Sequence, residues 1–192
     1  MIKKRILIMG HGNMAQKYFT IIKKISPKSE INFYSSRRVS KNLYKKNDKI
    51  RKFDPDIVFI CSSTHRHFND LKLINKLINN KLILVEKPLF HKIKKINLKN
   101  KVFVGYNLRY DPVINEIKKL IKNKKIWSVE IFCNSFMPRW RKRNYTKTYS
   151  AQKKLGGGVA LDLSHEIDYL LWFFKNLEIK FSISNKISNL KI

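Results

Sequence analysis

RILIMGHGNMA, residues 5–15, decides the fold. Residues 5–9 are an apolar run short enough to be one buried strand, and a helical pattern runs from the following glycines to Ile25. Between them, Gly10-His11-Gly12-Asn13-Met14-Ala15 fits G-x-G-x-x-A. In such a turn Gly10 makes the tight bend and Gly12 lets a ligand approach the backbone. The small Ala15 allows close helix–strand packing, while Asn13 and Met14 open a helix whose amino end faces phosphate. Alone the pattern is weak, but its place between a first strand and a first helix points to dinucleotide binding.

Four further apolar runs follow at 31–34 (INFY), 56–60 (DIVFI), 82–85 (LILV) and 102–104 (VFV). Leu71, Ile74, Leu77 and Ile78 lie at helical spacing between two of them. Strands alternating with helices predict right-handed crossovers and an α/β, doubly wound parallel sheet of the Rossmann kind. Beyond residue 106 the pattern changes. Val113, Ile117, Leu120 and Ile121 predict an amphipathic helix, IWSVEIFCNSF (126–136) a long alternating strand, and 137–154 a polar, aromatic-basic loop. The expected organisation is a dinucleotide-binding domain at 1–106 and a partial α+β substrate or oligomerisation domain at 107–192.

Composition narrows the function classes. A formal charge of +29 suggests a nucleic-acid partner, but 33 lysines accompany 9 arginines, 25 isoleucines and 18 asparagines. That is the bias of A- and T-rich codons, and the lysines are spread along the chain. Surface lysine is the better reading, with no specific nucleic-acid partner expected. Neither a signal peptide nor a membrane span is legible, and Cys61 and Cys133 make no disulfide framework, so the expected compartment is the cytoplasm.

Several residues stand at strand ends, where open α/β sheets bind ligands. Ser62, Ser63, Thr64 and His67 follow the third run, with His65 beside them; for either histidine a packing or helix-start role is an equal alternative. No metal site is supported by the spacing. Glu86-Lys87-Pro88 follows the fourth run, and a lysine there could shuttle a proton or polarise a carbonyl. After the second run, where an acid would hold the ribose 2′-hydroxyl of NAD, the chain reads Ser35-Ser36-Arg37-Arg38. Hydroxyls and arginines there suit a 2′-phosphate, so NADP is the expected cofactor in preference to NAD.

Residues 155–174 contain no lysine or arginine but carry Asp162, His165, Glu166 and Asp168. At helical spacing Asp162, His165, Glu166 and Tyr169 share one face, and Leu163, Ile167, Leu170, Leu171 and Phe174 the other. A lysine-free polar face opposite a core face reads as the wall of a cleft.

Together, GHGNMA (10–15), DIVFICSSTHRH (56–67), LILVEKP (82–88), GYNLRYDP (105–112) and GGGVALDLSHEID (156–168) resemble the glucose–fructose oxidoreductase / inositol dehydrogenase / MocA (Gfo/Idh/MocA) oxidoreductases. The resemblance implies transfer of hydride between a nicotinamide cofactor and a sugar or polyol carbon. It implies Lys87 as catalytic lysine, with Asp162 and His165 handling the proton and Asn107 and Arg109 bordering the substrate. Oxidising an alcohol fits this: His165 is the natural base, Asp162 can support it, and Lys87 can stabilise the alkoxide. In PRWRKRNY (138–145), Arg139, Arg141 and Arg143 beside Trp140 and Tyr145 would grip a sugar carrying a nucleotide or acid group. The likeness extends to members that act on surface-polysaccharide sugars.

Two features depart from the family. Asp162 and His165 are three residues apart where four is common, which makes Glu166 a rival to Asp162. Family members also continue into a large open sheet, whereas this chain reaches Ile192 about one strand past the helix. The expectation is a shortened or split form that self-associates or needs a complementing chain. A cofactor-binding but catalytically incomplete remnant is the alternative function, and a basic nucleic-acid binder a third.

Overall fold

Six parallel strands form the first sheet, in the order β3-β2-β1-β4-β5-β6. They are β1 (Arg5–Met9), β2 (Glu30–Tyr34), β3 (Leu43–Tyr44), β4 (Ile57–Ile60), β5 (Leu82–Val85) and β6 (Lys101–Val104). Helices α1 (Asn13–Ile25), α2 (Asn47–Phe53) and α3 (His67–Leu77) connect them. This computed structural model describes residues 3–35, 43–44, 47–140 and 144–185. The chain divides into two compact units, Met1–Gly105 and Tyr106–Ile192.

The strands are apolar nearly throughout because both faces of the sheet are covered. Leu7, Met9, Val58, Ile60, Ile83 and Val85 pack on one side with Ile50 and Phe53 of α2 and Leu71 and Ile74 of α3. Ile6, Ile8 and Phe33 pack on the other with Ala15 and Ile22 of α1. Strand order reverses between β1 and β4, so the carboxyl ends of these two strands mark the switch point where such sheets bind ligands.

The predicted alternation with helices stops after β5. No helix occupies residues 86–100, and side-chain amides tie this connection down instead. Buried Asn75 of α3 accepts from the Lys99 amide at 2.8 Å and donates to the Asn97 carbonyl. Asn100 donates to the Ile78 carbonyl at 3.0 Å and accepts from the Lys81 amide at 3.0 Å. These bonds satisfy the backbone groups that a helix would otherwise satisfy internally.

In the second unit α4 (Pro112–Ile121) begins at Asp111, whose carboxylate accepts from the amides of Val113 and Ile114. Proline at the first helical position costs no hydrogen bond. The strand predicted at 126–136 is not formed: the segment joins no ladder among the described residues. A strand needs a neighbouring row of backbone groups, and here neither side of the segment is covered: Trp127 and Phe132 stay 84% and 83% exposed.

The helix predicted across 161–174 is broken into α5 (Val159–Asp162) and α6 (His165–Phe173) by a turn at Leu163-Ser164. Asp162 and His165 therefore do not share one helical face. The predicted core face is also corrected, since Ile167 and Leu171 are 50% and 53% exposed while Asp168 is buried.

Candidate functional site

The glycine turn has the geometry its sequence predicts. Gly10 has φ +107°, and a β-carbon there would stand 2.7 Å from the Cys61 carbonyl oxygen. Only glycine combines that backbone conformation with that approach of β1 to the end of β4. Gly12 is different. It caps α1 with φ −87°, and a β-carbon on it would meet nothing within 4 Å. No side chain caps α1 and no acid lies in its first turn, so its leading amides are left for an anion.

Across the switch point, the Ser62 hydroxyl is buried and has no hydrogen-bond partner among the described residues, as has Nδ1 of His65. An open space over Gly12, uncapped helix amides and a spare serine hydroxyl fit a dinucleotide's pyrophosphate. Ser63 precedes the 3-10 turn Thr64–Arg66 and caps it with no side-chain bond, and Thr64 is buried. Cys61 is buried at the same edge, where burial and then the Glu86 carboxylate push its thiol well up, so it stays protonated. No cluster of three potential metal ligands exists among the described residues.

Lys87 sits just beyond the end of β5, half-buried, between two anchored neighbours. On one side Tyr18 of α1 donates its hydroxyl to Glu86 Oε1 at 2.6 Å. Burial first, and this carboxylate second, hold the phenol protonated far above its ordinary range. On the other side His67, 1% exposed, places Nδ1 3.0 Å from the Pro88 carbonyl and Nε2 3.0 Å from the Ser62 carbonyl. Glu86 and His67, both read as cofactor residues, thus have protein partners. Tyr18 carried no signal in the sequence, since nothing local links it to a strand end 68 residues away.

In the second unit His165 opens α6 and meets the ring edge of Tyr106, with centroids 5.7 Å apart. Asp162 accepts from the Ser150 hydroxyl at 3.1 Å. Glu166, the rival acid, stands beside exposed Cys133, whose thiol is raised first by local desolvation and then by that carboxylate.

Arg109 is held in a two-pronged ion pair. Its Nε and a terminal nitrogen donate to the two Asp168 oxygens at 2.8 and 2.7 Å. The pair raises the guanidinium above its ordinary value and explains why an acid is the buried residue of α6. Asp168 was visible as an acid in the lysine-free stretch, but only the partner at Arg109 gives it a role. Asn107 lies in the adjoining 3-10 turn Asn107–Tyr110. Trp140 donates its indole N–H to Ser135, and Tyr145 opens the turn Tyr145–Lys147. Ser36, Arg37, Arg38 and Arg141 lie outside the described residues.

Fold and site together define a Rossmann-type unit with a glycine turn at its switch point, followed by a unit that carries a histidine and carboxylates. Comparison with known proteins agrees at the level of fold. The dehydrogenase WlbA of Chromobacterium violaceum, solved with NADH and UDP-GlcNAcA, superposes with a TM-score of 0.70 at 16% identity, covering 89% of this chain and 55% of that one. WlbA (WbpB) of Thermus thermophilus, solved with NAD and UDP-GlcNAcA, gives 0.67 at 17% identity, covering 89% and 63%. Scyllo-inositol dehydrogenase of Lactobacillus casei, solved with NAD(H) and scyllo-inositol, gives 0.63 at 20% identity, covering 90% and 56%.

By sequence, the chain is 26% identical over 183 residues to the putative oxidoreductase YteT of Bacillus subtilis. That match covers 86% of this chain and 39% of the relative, so the chain spans about two fifths of its length. No family model matches. In motifs and in fold, the chain shares the likeness to Gfo/Idh/MocA oxidoreductases read from its sequence. Among the described residues no helix is long and apolar enough to cross a membrane.

Proposed function

We propose that this chain binds a nicotinamide dinucleotide and serves oxidoreduction at a hydroxyl-bearing carbon of a sugar or polyol. The observation that carries the reading is the contrast between the two glycines, one filled around and one left open. It fits a phosphate-bearing ligand at the head of α1.

When bound, the nicotinamide ring supplies the hydride exchange. The chain's own residues supply the rest. The Gly10–Ala15 turn and the α1 amides hold the pyrophosphate, and the Ser62 hydroxyl donates to the same ligand. Lys87 offers an ammonium to the oxygen that develops charge as the alcohol is oxidised, and His165 accepts the hydroxyl proton. Asp162, or Glu166 in its place, supports that histidine. Arg109, anchored by Asp168, borders the substrate with Asn107, while Trp140, Arg141 and Tyr145 favour a sugar bearing an acid or nucleotide. That preference is supported by WlbA structures solved with UDP-GlcNAcA.

For the cofactor, Ser36, Arg37 and Arg38 support NADP, while the solved relatives named above were solved with NAD or NADH. Fluorescence titration with NADH and NADPH tests binding directly. Lys87→Ala should leave that binding intact and lower turnover of UDP-GlcNAcA or scyllo-inositol by at least about a hundredfold, the scale of a lost acid–base or electrostatic group. Near-normal turnover would remove Lys87 from the chemistry.

A second reading, a cofactor-binding chain that needs a partner for turnover, is favoured by the unpaired, apolar 126–136 segment. Tight NADH binding without turnover, restored by a complementing chain or assembly, would select it.

A further inference from the structure

We infer that Tyr18 and His67 are positioning residues that hold Lys87 from both sides, and this rests on Lys87 having the role proposed above. Lysine side chains are long and flexible, and where the backbone after a strand end is loose the ammonium's point of departure wanders as well. Here both flanking residues are held by part-buried hydrogen bonds from different helices. Tyr18 of α1 grips the side chain of Glu86 at 2.6 Å. His67, the first residue of α3, grips the carbonyl of Pro88 at 3.0 Å.

The second ring nitrogen of His67 makes the arrangement specific. It lies 3.0 Å from the carbonyl of Ser62, so one imidazole spans the loop after β4 and the turn after β5. Each nitrogen donates to its own carbonyl, one at a time in the neutral ring and both together in the imidazolium. A packing histidine needs no such pair of backbone acceptors. The clasp also uses Ser62 through its carbonyl only, leaving the hydroxyl for a ligand.

Gly105 closes the other side of the Tyr18 clasp. A β-carbon there would stand 3.2 Å from Glu86 Oε1, so the carboxylate is seated against the end of β6 as well. Tyr18 belongs to the helix whose amino end faces the phosphates, and His67 to the helix that starts beside Ser62 and Ser63. The elements that hold cofactor therefore also hold the lysine.

The test is the reactivity of Lys87 toward pyridoxal phosphate, trapped with borohydride and read by peptide mass spectrometry, with exposed Lys92 and Lys95 as internal references. Tyr18→Phe and His67→Leu should each raise labelling of Lys87 relative to the references by about fivefold, the scale of one lost hydrogen bond. NADH affinity of Tyr18→Phe should stay within about threefold, because neither the glycine turn nor the Ser62 loop is touched. His67→Gln, which keeps a donor, should restore much of the protection that His67→Leu loses. Thermal melts of all variants identify any that fail to fold, and Tyr18→Phe, which removes one oxygen, carries the test if His67→Leu is unstable.

Unchanged relative labelling of Lys87 in folded Tyr18→Phe and His67→Leu overturns the inference. So does equal loosening of Lys87, Lys92 and Lys95, or no recovery in His67→Gln. A different result marks failure of the underlying reading: NADH then neither binds the wild-type chain nor shields Lys87 from the reagent.

Discussion

The two glycines of the turn between β1 and α1 should respond oppositely to the same added methyl group. In Gly10→Ala the new β-carbon would sit 2.7 Å from the Cys61 oxygen and 2.8 Å from its carbonyl carbon. These are backbone atoms at the end of a central strand and cannot swing away. The substitution also forces alanine to φ +107°. Strain of about 1–3 kcal/mol for the backbone conformation and a similar amount for overpacking give a loss of about 2–5 kcal/mol. Against a usual domain stability of about 5–15 kcal/mol, that is a large fraction of the whole.

In Gly12→Ala the β-carbon meets nothing and φ is already ordinary, so stability should fall by no more than about 1 kcal/mol, the cost of alanine at a helix cap. Its methyl group instead occupies the open space over Gly12, through which a phosphate would reach the helix amides in the proposed reading. NADH affinity should drop at least about tenfold, equivalent to about 1.4 kcal/mol. Urea unfolding and NADH fluorescence titration of the two variants, run side by side, read both quantities. A stable Gly10→Ala, or a Gly12→Ala that binds NADH normally, would refute the division of labour.

Arg37→Ala with Arg38→Ala should weaken NADPH by about 1.5–3 kcal/mol, the value of charge-assisted bonds to one phosphate, and leave NADH nearly unchanged. Equal losses for both cofactors in isothermal titration would separate these arginines from the 2′-phosphate. Arg109→Met should destabilise more than Asp168→Asn, since the first strands a buried carboxylate while the second leaves a guanidinium 41% exposed to water. About 2–3 kcal/mol against about 1–2 kcal/mol is expected by chemical denaturation, the smaller figure discounted for solvent screening. Trp127, Phe132, Ile179 and Phe181, all more than three-quarters exposed, should make the chain self-associate or bind a second chain. Light scattering during gel filtration checks this, and a monomer at every concentration would count against it.

The first unit was legible because its determinants are local. The central strand β1 is buried on both faces and reads as an unbroken apolar run, as do its neighbours β4 and β5 with one face buried, and a glycine turn between strand and helix reports backbone geometry directly. The clasp around Lys87 was not legible, because Tyr18, Glu86 and His67 lie far apart in the chain and meet only when α1 and α3 pack against the sheet. Periodicity identifies a face but not the residue across from it.

The second unit shows the same limit more sharply. The alternation at 126–136 states that one side of the chain is suited to cover, but pairing is a property of two segments, and none of the described residues lies alongside it as a partner strand. On α6, helical spacing placed the apolar residues inward, yet Asp168 is the residue buried there. A guanidinium 59 positions away satisfies both carboxylate oxygens, which makes burial of that acid tolerable and turns the helix accordingly. What the lysine-free stretch revealed was therefore the absence of ordinary solvated surface, and the placing of each acid within it required the partners that folding supplies.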